Sequence, residues 1–281
     1  MSSNSLPHPL VSSEWLHQNI DMPNLVILDA TIKKATSEGD DYFKGLQIPK
    51  ARFIDIKGNF SDSQSAMPNT LPSPKAFTEA AQALGINKDS KIIVYDRLGI
   101  YAAPRVWWMF RAMGHEHIAV LDGGLPAWIS EGFKTEASKT KTYESGDFIA
   151  NFQDEMVVGL EEVLQNITTK RHSVLDARSS GRFHGTAPEP RADVKGGHIP
   201  NSINLPYTEL LQDGKMKQVE ELRAIFKSLK LPNTPRIYSC GTGITACIIM
   251  LAAALTGFSD HAIYDGSWTE WGQAEHVPIA T

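Results

Sequence analysis

Short apolar runs alternate with longer helical patterns along most of the chain, and the two periods predict strands and helices respectively. The predicted strands of the first half are Leu25–Leu28, Arg52–Ile54, Ile92–Tyr95 and Ile118–Leu121. The predicted helices there are Ser73–Leu84 and Pro104–Met113. This alternation favours an α/β protein with mainly parallel sheets flanked by helices, because parallel strands need crossover connections.

The second half contains a strand, a loop with two glycines and a helix in direct succession. Arg236–Ser239 is a short, mostly apolar run that predicts a strand. Ala246–Leu255 is a longer apolar run without Gly or Pro, which predicts a buried helix. Between them stands C-G-T-G-I-T at residues 240–245. Cys240 is therefore expected at the carboxyl end of a parallel strand, where ligands of such sheets bind.

The two halves of the chain repeat the same landmarks in the same order and at a nearly constant spacing. The repeated pairs are Leu28-Asp29-Ala30 and Leu175-Asp176-Ala177, Ile48-Pro49 and Ile199-Pro200, Val94-Tyr95-Asp96 and Tyr238-Ser239-Cys240, and Asp122-Gly123-Gly124 and Asp265-Gly266-Ser267. Such self-similarity predicts two copies of one domain. The polar stretch 138–154 shows no sustained period and is the predicted linker. It leaves 1–137 as the first domain and 155–281 as the second.

Composition narrows the class of protein. The chain has 281 residues, of which 42% are hydrophobic and 21% charged, with a net charge of −5. These values are typical of a globular protein, and without a basic run they argue against nucleic-acid binding. Two cysteines make no disulfide framework, which suits a reducing compartment. No secretory signal and no apolar run of about 18 residues is present, so we expect a soluble cytoplasmic protein away from membranes.

Cys240 is the candidate nucleophile. Gly241 and Gly243 allow consecutive backbone N–H groups to converge on one point, beside the N-terminus of the predicted helix. That setting favours negative charge and hence the thiolate, which is the nucleophilic form of cysteine. The alternative is an inert buried thiol, which is common for free cysteine. The hydroxyls of Thr242 and Thr245 favour the catalytic interpretation, whereas Cys247, inside the apolar run, is expected to pack in the core.

The sequence also argues against a phosphatase site, a nucleotide site and a metal site. A cysteine-dependent phosphatase needs C-x5-R, but Ala246 stands six positions after Cys240 and the loop has no basic residue. No GxGxxG or P-loop motif is present, and the histidines lack metal-ligand spacing, so neither a metal nor another cofactor is predicted. The first half has Asp96-Arg97-Leu98-Gly99 at the place of the cysteine loop. We therefore expect the first domain to be non-catalytic and to form a wall of the site.

The sequence resembles the tandem rhodanese-domain sulfurtransferases over nearly its whole length. Besides the loop, the motifs that carry the resemblance are Ala103–Arg111, Leu121–Leu125, Gly181–Phe183, Pro188–Arg191, Gly197–Pro200 and Tyr264–Trp271. The uncharged loop is similar to the C-G-[ST]-G-V-T loops of 3-mercaptopyruvate sulfurtransferases. Thiosulfate-preferring members usually place basic residues after the cysteine. The resemblance implies two rhodanese-like domains, of which only the second carries the nucleophile.

The resemblance also implies roles for single residues. Arg182 and Arg191 match the family's substrate-binding arginines, and a planar guanidinium suits the carboxylate of 3-mercaptopyruvate. Cys240 and Thr242 are the implied catalytic residues, and Tyr101 is a candidate pocket residue, with simple packing as the alternative. The loop amides implied to stabilise the persulfide are those of Gly241, Thr242, Gly243, Ile244 and Thr245.

The implied reaction moves sulfur from 3-mercaptopyruvate to Cys240 and then to an acceptor, with release of pyruvate. The implied acceptor is a thiol, such as a reduced thioredoxin or a small thiol, or cyanide. One alternative is a thiosulfate:cyanide sulfurtransferase, which differs only in its donor. Another is a sulfur-carrier or regulatory module with little turnover.

One departure from the family pattern affects the proton route. Many mercaptopyruvate enzymes have an Asp and a His in the first domain that are proposed to activate the loop hydroxyl. Lys57 and Asn69 stand at those places here, so Thr242 is expected to act only as a hydrogen-bond donor. Arg178 is expected to form a structural ion pair, and Trp107-Trp108 is expected to pack in a core or between domains.

Overall fold

The computed structural model describes residues 6, 8–32, 43, 45–259 and 261–281. These residues form two compact units. The first contains the described chain up to Ser63, Leu71–Gln153 and Asp213–Met216. The second contains Gln64–Thr70, Asp154–Gln212 and Lys217–Thr281.

The first unit is built on a five-stranded sheet. Its strands and helices are β1 (Leu10–Val11), α1 (Ser13–Asn19), β2 (Leu25–Asp29), β3 (Leu46–Gln47), β4 (Arg52–Phe53), α2 (Pro74–Ala83), β5 (Lys91–Tyr95), α3 (Ala103–Ala112), β6 (Ile118–Leu121), α4 (Gly124–Ser130) and β7 (Glu136–Ala137). The sheet order is β1-β6-β5-β2-β4, and every pair in it is parallel. β3 and β7 form a separate antiparallel pair. The four predicted strands and both predicted helices are confirmed.

The second unit repeats this arrangement. The strand β12 (Lys215–Met216) follows β11 in the chain but belongs to the first unit. The elements of the second unit are β8 (Val157–Val158), α5 (Leu160–Thr169), β9 (Ser173–Asp176), α6 (Ser180–Phe183), β10 (Ile203–Asn204), β11 (Leu211–Gln212), α7 (Val219–Ser228), β13 (Arg236–Ser239), α8 (Ala246–Leu255), β14 (His261–Tyr264) and α9 (Ser267–Gln273). Short 3₁₀ turns lie at Asp154–Met156 and Tyr207–Leu210. The parallel sheet order is β10-β9-β13-β14-β8.

The two sheets have the same strand order when the second is followed from β8 to β10, which confirms the repeat found in the sequence. β2 corresponds to β9 and β5 to β13, so each central pair carries the same landmark residues. The loops after β5 and β13 therefore occupy equivalent places, at the carboxyl end of the middle strand. Asp96 opens the first loop and Cys240 opens the second.

Local sequence explains where the helices begin. Ser73 caps α2, because its side-chain oxygen accepts the N–H of Ala76 at 3.3 Å. Pro74 then occupies the first helical position, where its missing N–H costs no hydrogen bond. α8 has no polar face, and each residue from Ala246 to Ala253 is buried. Cys247 is fully buried among them, as predicted.

The polar stretch that follows β7 runs along the first unit. The N–H of Gly146 donates to Gln82 O at 2.9 Å, and the N–H of Phe148 donates to Ile86 O at 3.1 Å. The Phe148 side chain is 2% exposed, and the first unit extends to Gln153. In the same unit Trp107 and Trp108 are 1% and 0% exposed, so both pack in its core. Across the described part of the chain, no helix is both long enough and apolar enough to cross a bilayer.

Candidate active site

Cys240 lies directly after β13, and its loop is held by the N-terminus of α9. The N–H of Trp268 donates to Cys240 O and the N–H of Thr269 donates to Gly241 O, both at 2.9 Å. The Thr269 hydroxyl donates to Gly241 O as well, at 2.7 Å. Cys240 is only 1% exposed. The loop is thus fixed through its main chain.

These contacts determine the direction of the loop amides. The C=O and the N–H of one trans peptide point in opposite directions. Because the carbonyls of Cys240 and Gly241 point at α9, the N–H groups of Gly241 and Thr242 point away from it. Gly243 has φ +76°, a left-handed conformation that favours glycine. The loop then passes into α8, whose N-terminus favours negative charge.

Ser267 fixes the backbone N–H of Cys240, whereas the contacts above fix the carbonyl. Its hydroxyl accepts the N–H of Cys240 at 3.2 Å and donates to Tyr264 O at 2.8 Å. Ser267 is completely buried and has φ +51°. Sequence reasoning used this residue only as a landmark of the repeat. Its role depends on the approach of α9 to the loop, which is a long-range contact.

Arg178 forms the predicted ion pair. Its Nη2 atom lies 2.7 Å from Asp176 Oδ2, and its Nη1 atom lies 2.9 Å from Glu189 Oε1. Its guanidinium also stacks on Trp268, with Cζ 4.2 Å from a ring centroid. Because Trp268 binds the Cys240 carbonyl, this buried network supports the loop.

Arg182 lies against the loop and shares the same acidic partner. Its Nε atom donates to Glu189 Oε2 at 3.1 Å, while the other carboxylate oxygen binds Arg178. A Cβ built on Gly241 would be 3.1 Å from Arg182 Nη2. The Arg182 side chain is 20% exposed, whereas that of Glu189 is 4% exposed. Glu189 therefore orients a partly accessible guanidinium beside the cysteine loop.

Arg191 is more exposed than Arg182 and lies in a polar hollow. Its side chain is 44% exposed, and its Nε atom is 3.7 Å from Asp193 Oδ1. The hollow has a volume of about 330 Å³ and is lined by the segment that carries Glu189 and Arg191. Glu189 thus contacts Arg182 and also lines the hollow of Arg191. Although the sequence motif P-E-P-R contains this glutamate, its role was not predicted.

Tyr207 is a second residue that sequence reasoning missed. It begins the 3₁₀ turn after β10, and its side chain is half-buried. Burial raises the pKa of Tyr207, and the negative charge of Cys240 raises it further. The phenol is therefore neutral at neutral pH.

The remaining predicted residues lie in several places. Thr242 and Thr245 are partly exposed, whereas Ile244 is buried.

Tyr101 belongs to the first unit, where its backbone N–H donates to Asp96 at 2.8 Å. Its role as a pocket residue stays a prediction. Lys57 is exposed in the first unit; Asn69 belongs to the second unit and has φ +61°.

In the first unit the equivalent loop encloses its own acidic group. The Asp96 carboxyl oxygens accept backbone N–H groups at 2.8 to 3.0 Å, from Leu98, Tyr101, Ala102 and Ala103. Burial raises the pKa of Asp96, and these four donors oppose the rise. The side chain therefore fills the concave side of its own loop.

Within the described residues, no group of three or more His, Cys, Asp and Glu side chains is placed to hold a metal ion.

Comparisons with known proteins agree with this architecture. The family model of the rhodanese-like domain matches residues 12–131 and 159–274. The chain is 38% identical over 290 residues to the 3-mercaptopyruvate sulfurtransferase of Mus musculus, covering 99% of this chain and 97% of that protein. It is 40% identical over 272 residues to the thiosulfate sulfurtransferase of Bos taurus, covering 93% and 91%. The crystal structure of SseA from Escherichia coli, which shows the rhodanese fold of 3-mercaptopyruvate sulfotransferases, aligns with a TM-score of 0.83 at 35% identity over 93% and 99% of the two chains.

Proposed function

The chain belongs to the tandem rhodanese-domain sulfurtransferases, and on that premise we propose that it takes sulfur from 3-mercaptopyruvate onto Cys240 and passes it to a thiol acceptor. Family membership implies a small-molecule sulfur donor and a thiol or cyanide acceptor. The observation that carries the proposal is the pairing of Cys240, at the end of β13, with an oriented arginine beside the uncharged loop.

In the first half-reaction the thiolate of Cys240 attacks the sulfur of 3-mercaptopyruvate. The S–S bond forms, the C–S bond breaks, and pyruvate leaves as its enolate before it takes up a proton. The loop amides of Gly241 to Thr245 stabilise the persulfide anion. In the second half-reaction the acceptor removes the outer sulfur, so the kinetics are ping-pong. The inactive first unit supplies no second thiolate.

The choice of donor rests on the charges near the loop. Residues 241–245 carry no charged side chain, so Arg182 is the cation beside the loop and the loop itself adds no further positive charge to attract thiosulfate, a compact dianion. Mercaptopyruvate has a carboxylate that a guanidinium can bind with two parallel hydrogen bonds. Arg182 and Arg191 are the proposed anchors, with Arg182 held in position by Glu189.

A thiosulfate sulfurtransferase is the second candidate, and the 40% identity to the bovine enzyme of that name favours it. Both candidates use the same persulfide and differ only in the leaving group. The proposed acceptor is a reduced thioredoxin or a small thiol, and the proposed compartment is the cytoplasm.

The test is the intact mass of the protein after brief, separate exposure to 3-mercaptopyruvate and to thiosulfate, followed by turnover with each donor. We expect a gain of about 32 Da, one sulfur atom on the nucleophile, in the wild type and none in Cys240→Ser. Loading is expected to be faster with mercaptopyruvate. Faster loading by thiosulfate would favour the second candidate, and no loading by either would indicate a binding module without turnover.

A further inference from the structure

The guanidinium of Arg182 has two edges that can each bind a carboxylate, and Glu189 occupies one of them. The Nε atom of Arg182 donates to Glu189 Oε2 at 3.1 Å, and its Nη2 atom donates to the same oxygen. The side-on edge, formed by Nε and Nη2, is therefore filled by an acid of this chain. The end-on edge, formed by Nη1 and the second hydrogen of Nη2, is left for a ligand.

This end-on edge faces the cysteine loop. A Cβ built on Gly241 would lie 3.1 Å from Nη2 of Arg182 and 3.9 Å from its Nη1. Both nitrogens of the edge thus approach the residue that follows the nucleophile. Because the Arg182 side chain is 20% exposed, a donor molecule can reach it from solvent. Glu189 therefore determines which edge of the guanidinium is presented beside Cys240.

Arg178, the second arginine bound to Glu189, is committed to partners within the protein. Its side chain is 1% exposed. Its Nε and Nη2 atoms donate to the Asp176 carboxylate at 2.7 to 3.1 Å, and its Nη1 atom donates to Glu189 Oε1 at 2.9 Å. Two carboxylates thus accompany two guanidinium groups, and their formal charges cancel. Arg182 presents hydrogen-bond donors to the loop, while the cluster as a whole brings no net charge to it.

The burial of Glu189 makes this cancellation effective. Its side chain is 4% exposed, so water and salt screen its charge less than that of a surface carboxylate. Arg191, the other proposed anchor, is also accompanied by an acid, because its Nε atom lies 3.7 Å from Asp193 Oδ1. That pair is exposed and therefore interacts weakly. Among these acids, Glu189 has the strongest influence on the charge beside the loop.

We propose that Glu189 is a positioning residue that sets the donor preference of the site, a role that rests on the proposed function of Cys240 and Arg182. Glu189 holds the end-on edge of Arg182 toward the loop, where it can bind one carboxylate with two hydrogen bonds. At the same time it cancels the positive charge that would attract a dianion. 3-Mercaptopyruvate has one carboxylate, whereas thiosulfate is a dianion, so loss of the Glu189 charge should favour thiosulfate more strongly.

The experiment measures kcat/KM with each donor in Glu189→Gln. We expect the ratio of kcat/KM for thiosulfate to kcat/KM for 3-mercaptopyruvate to rise at least about tenfold, the effect of one unit charge at the effective dielectric constant near a protein surface. Glu189→Ala removes the same charge without placing an amide nitrogen against a guanidinium. It should shift the ratio in the same direction.

Two control variants separate the charge of Glu189 from its position. Glu189→Asp keeps the charge but shortens the side chain, so kcat/KM should fall for both donors while their ratio stays within about twofold of the wild type. Glu220→Gln changes the net charge equally, in an exposed pair with Arg223 where the Glu220 side chain is 81% exposed. Screening should keep its donor ratio within about twofold of the wild type. A melting curve shows which variants are folded.

Three results would overturn the proposal. They are an unchanged ratio in folded Glu189→Gln or Glu189→Ala, an equal rise of the ratio in Glu189→Asp, and failure of both charge-removing variants to fold, which would give Glu189 a structural role. A wild type that takes sulfur faster from thiosulfate would refute the proposed donor but not this role, because the ratio should rise in Glu189→Gln all the same. The two failures are therefore distinguishable.

Discussion

The Nη2 atom of Arg182 occupies the space into which a side chain on Gly241 would project, with only 3.1 Å between it and a Cβ built there. The guanidinium has little freedom to withdraw, because its Nε atom is bonded to the buried carboxylate of Glu189. The lack of a side chain after the nucleophile therefore allows an arginine to approach the loop.

Gly241→Ala should disturb substrate binding more than folding. The added methyl group must displace Arg182 or the loop by a few tenths of an ångström, a strain of about 1 to 3 kcal/mol. We expect the KM for 3-mercaptopyruvate to rise at least about fivefold, the equivalent of 1 kcal/mol, and the melting temperature to fall by only about 2 to 4 °C for each kcal/mol of strain. An unaltered KM would mean that Arg182 does not bind the donor.

Arg182→Lys tests the shape of the cation and not its charge. Lysine keeps the positive charge but lacks the planar fork that binds two carboxylate oxygens. We expect the KM for 3-mercaptopyruvate to rise about tenfold, or about 1.4 kcal/mol of binding, and Arg191→Ala to have a similar effect. Steady-state kinetics with both donors provide the measurement. If kcat/KM is unchanged in either variant, that arginine lies outside the substrate site.

Thr242→Val removes the loop hydroxyl at constant volume. If the hydroxyl donates a hydrogen bond to the reacting sulfur, its loss should slow persulfide formation about tenfold, the value of one hydrogen bond of about 1.4 kcal/mol. Substrate binding should stay the same. Thr245→Val is the matched control, because the Thr245 side chain does not cap α8. Equal rates in both variants and the wild type would make the Thr242 hydroxyl incidental.

Asp96→Ala should destabilise the first unit. It deprives four backbone N–H groups of their acceptor, and each buried donor left unpaired costs about 1 to 3 kcal/mol. We expect a loss of at least about 3 kcal/mol in the free energy of unfolding, measured from the urea midpoint at constant m-value. Asp96→Asn retains one oxygen acceptor and should lose clearly less. Equal losses in the two variants would contradict the hydrogen-bonding role.

His115 should make stability depend on pH. Its Nε2–H donates to Ser90 O at 2.9 Å, and burial lowers the pKa of His115 in the folded state. The unfolded chain therefore binds more protons below about pH 6.5, the ordinary histidine value, and stability falls as the pH drops through that value. His115→Gln should flatten this decline in urea titrations at pH 8 and pH 5.5. An identical decline in the variant would exclude His115 as its source.

Much of the fold could be predicted because it follows from local pattern. Arg236–Ser239 and Ala246–Leu255 have in the structure the bounds that their apolar runs predicted. The position of Cys240 between them followed from those bounds and the glycines of the loop. These features depend on neighbours in the chain, so one sequence is enough to find them.

The parts of the site that were missed depend on long-range contacts. Glu189 binds Arg178 and Arg182, which lie on segments whose mutual approach has no periodic signal. Tyr207 follows Pro206 at the start of a 3₁₀ turn, where no apolar period marks it as part of a site. Ser267 reaches the backbone of Cys240 only because β14 and β13 are adjacent in the sheet.

α9 holds the cysteine loop by the carbonyls of Cys240 and Gly241, and these groups are common to every amino acid. The side chains of Thr242 and Thr245 therefore do not contribute to that attachment and can be exchanged without releasing the loop. A duplicated domain of this kind can change its sulfur donor by a few substitutions while its scaffold stays constant. Within residues 240–245, selection on substrate range then acts on side-chain atoms, whereas selection on folding acts on main-chain atoms.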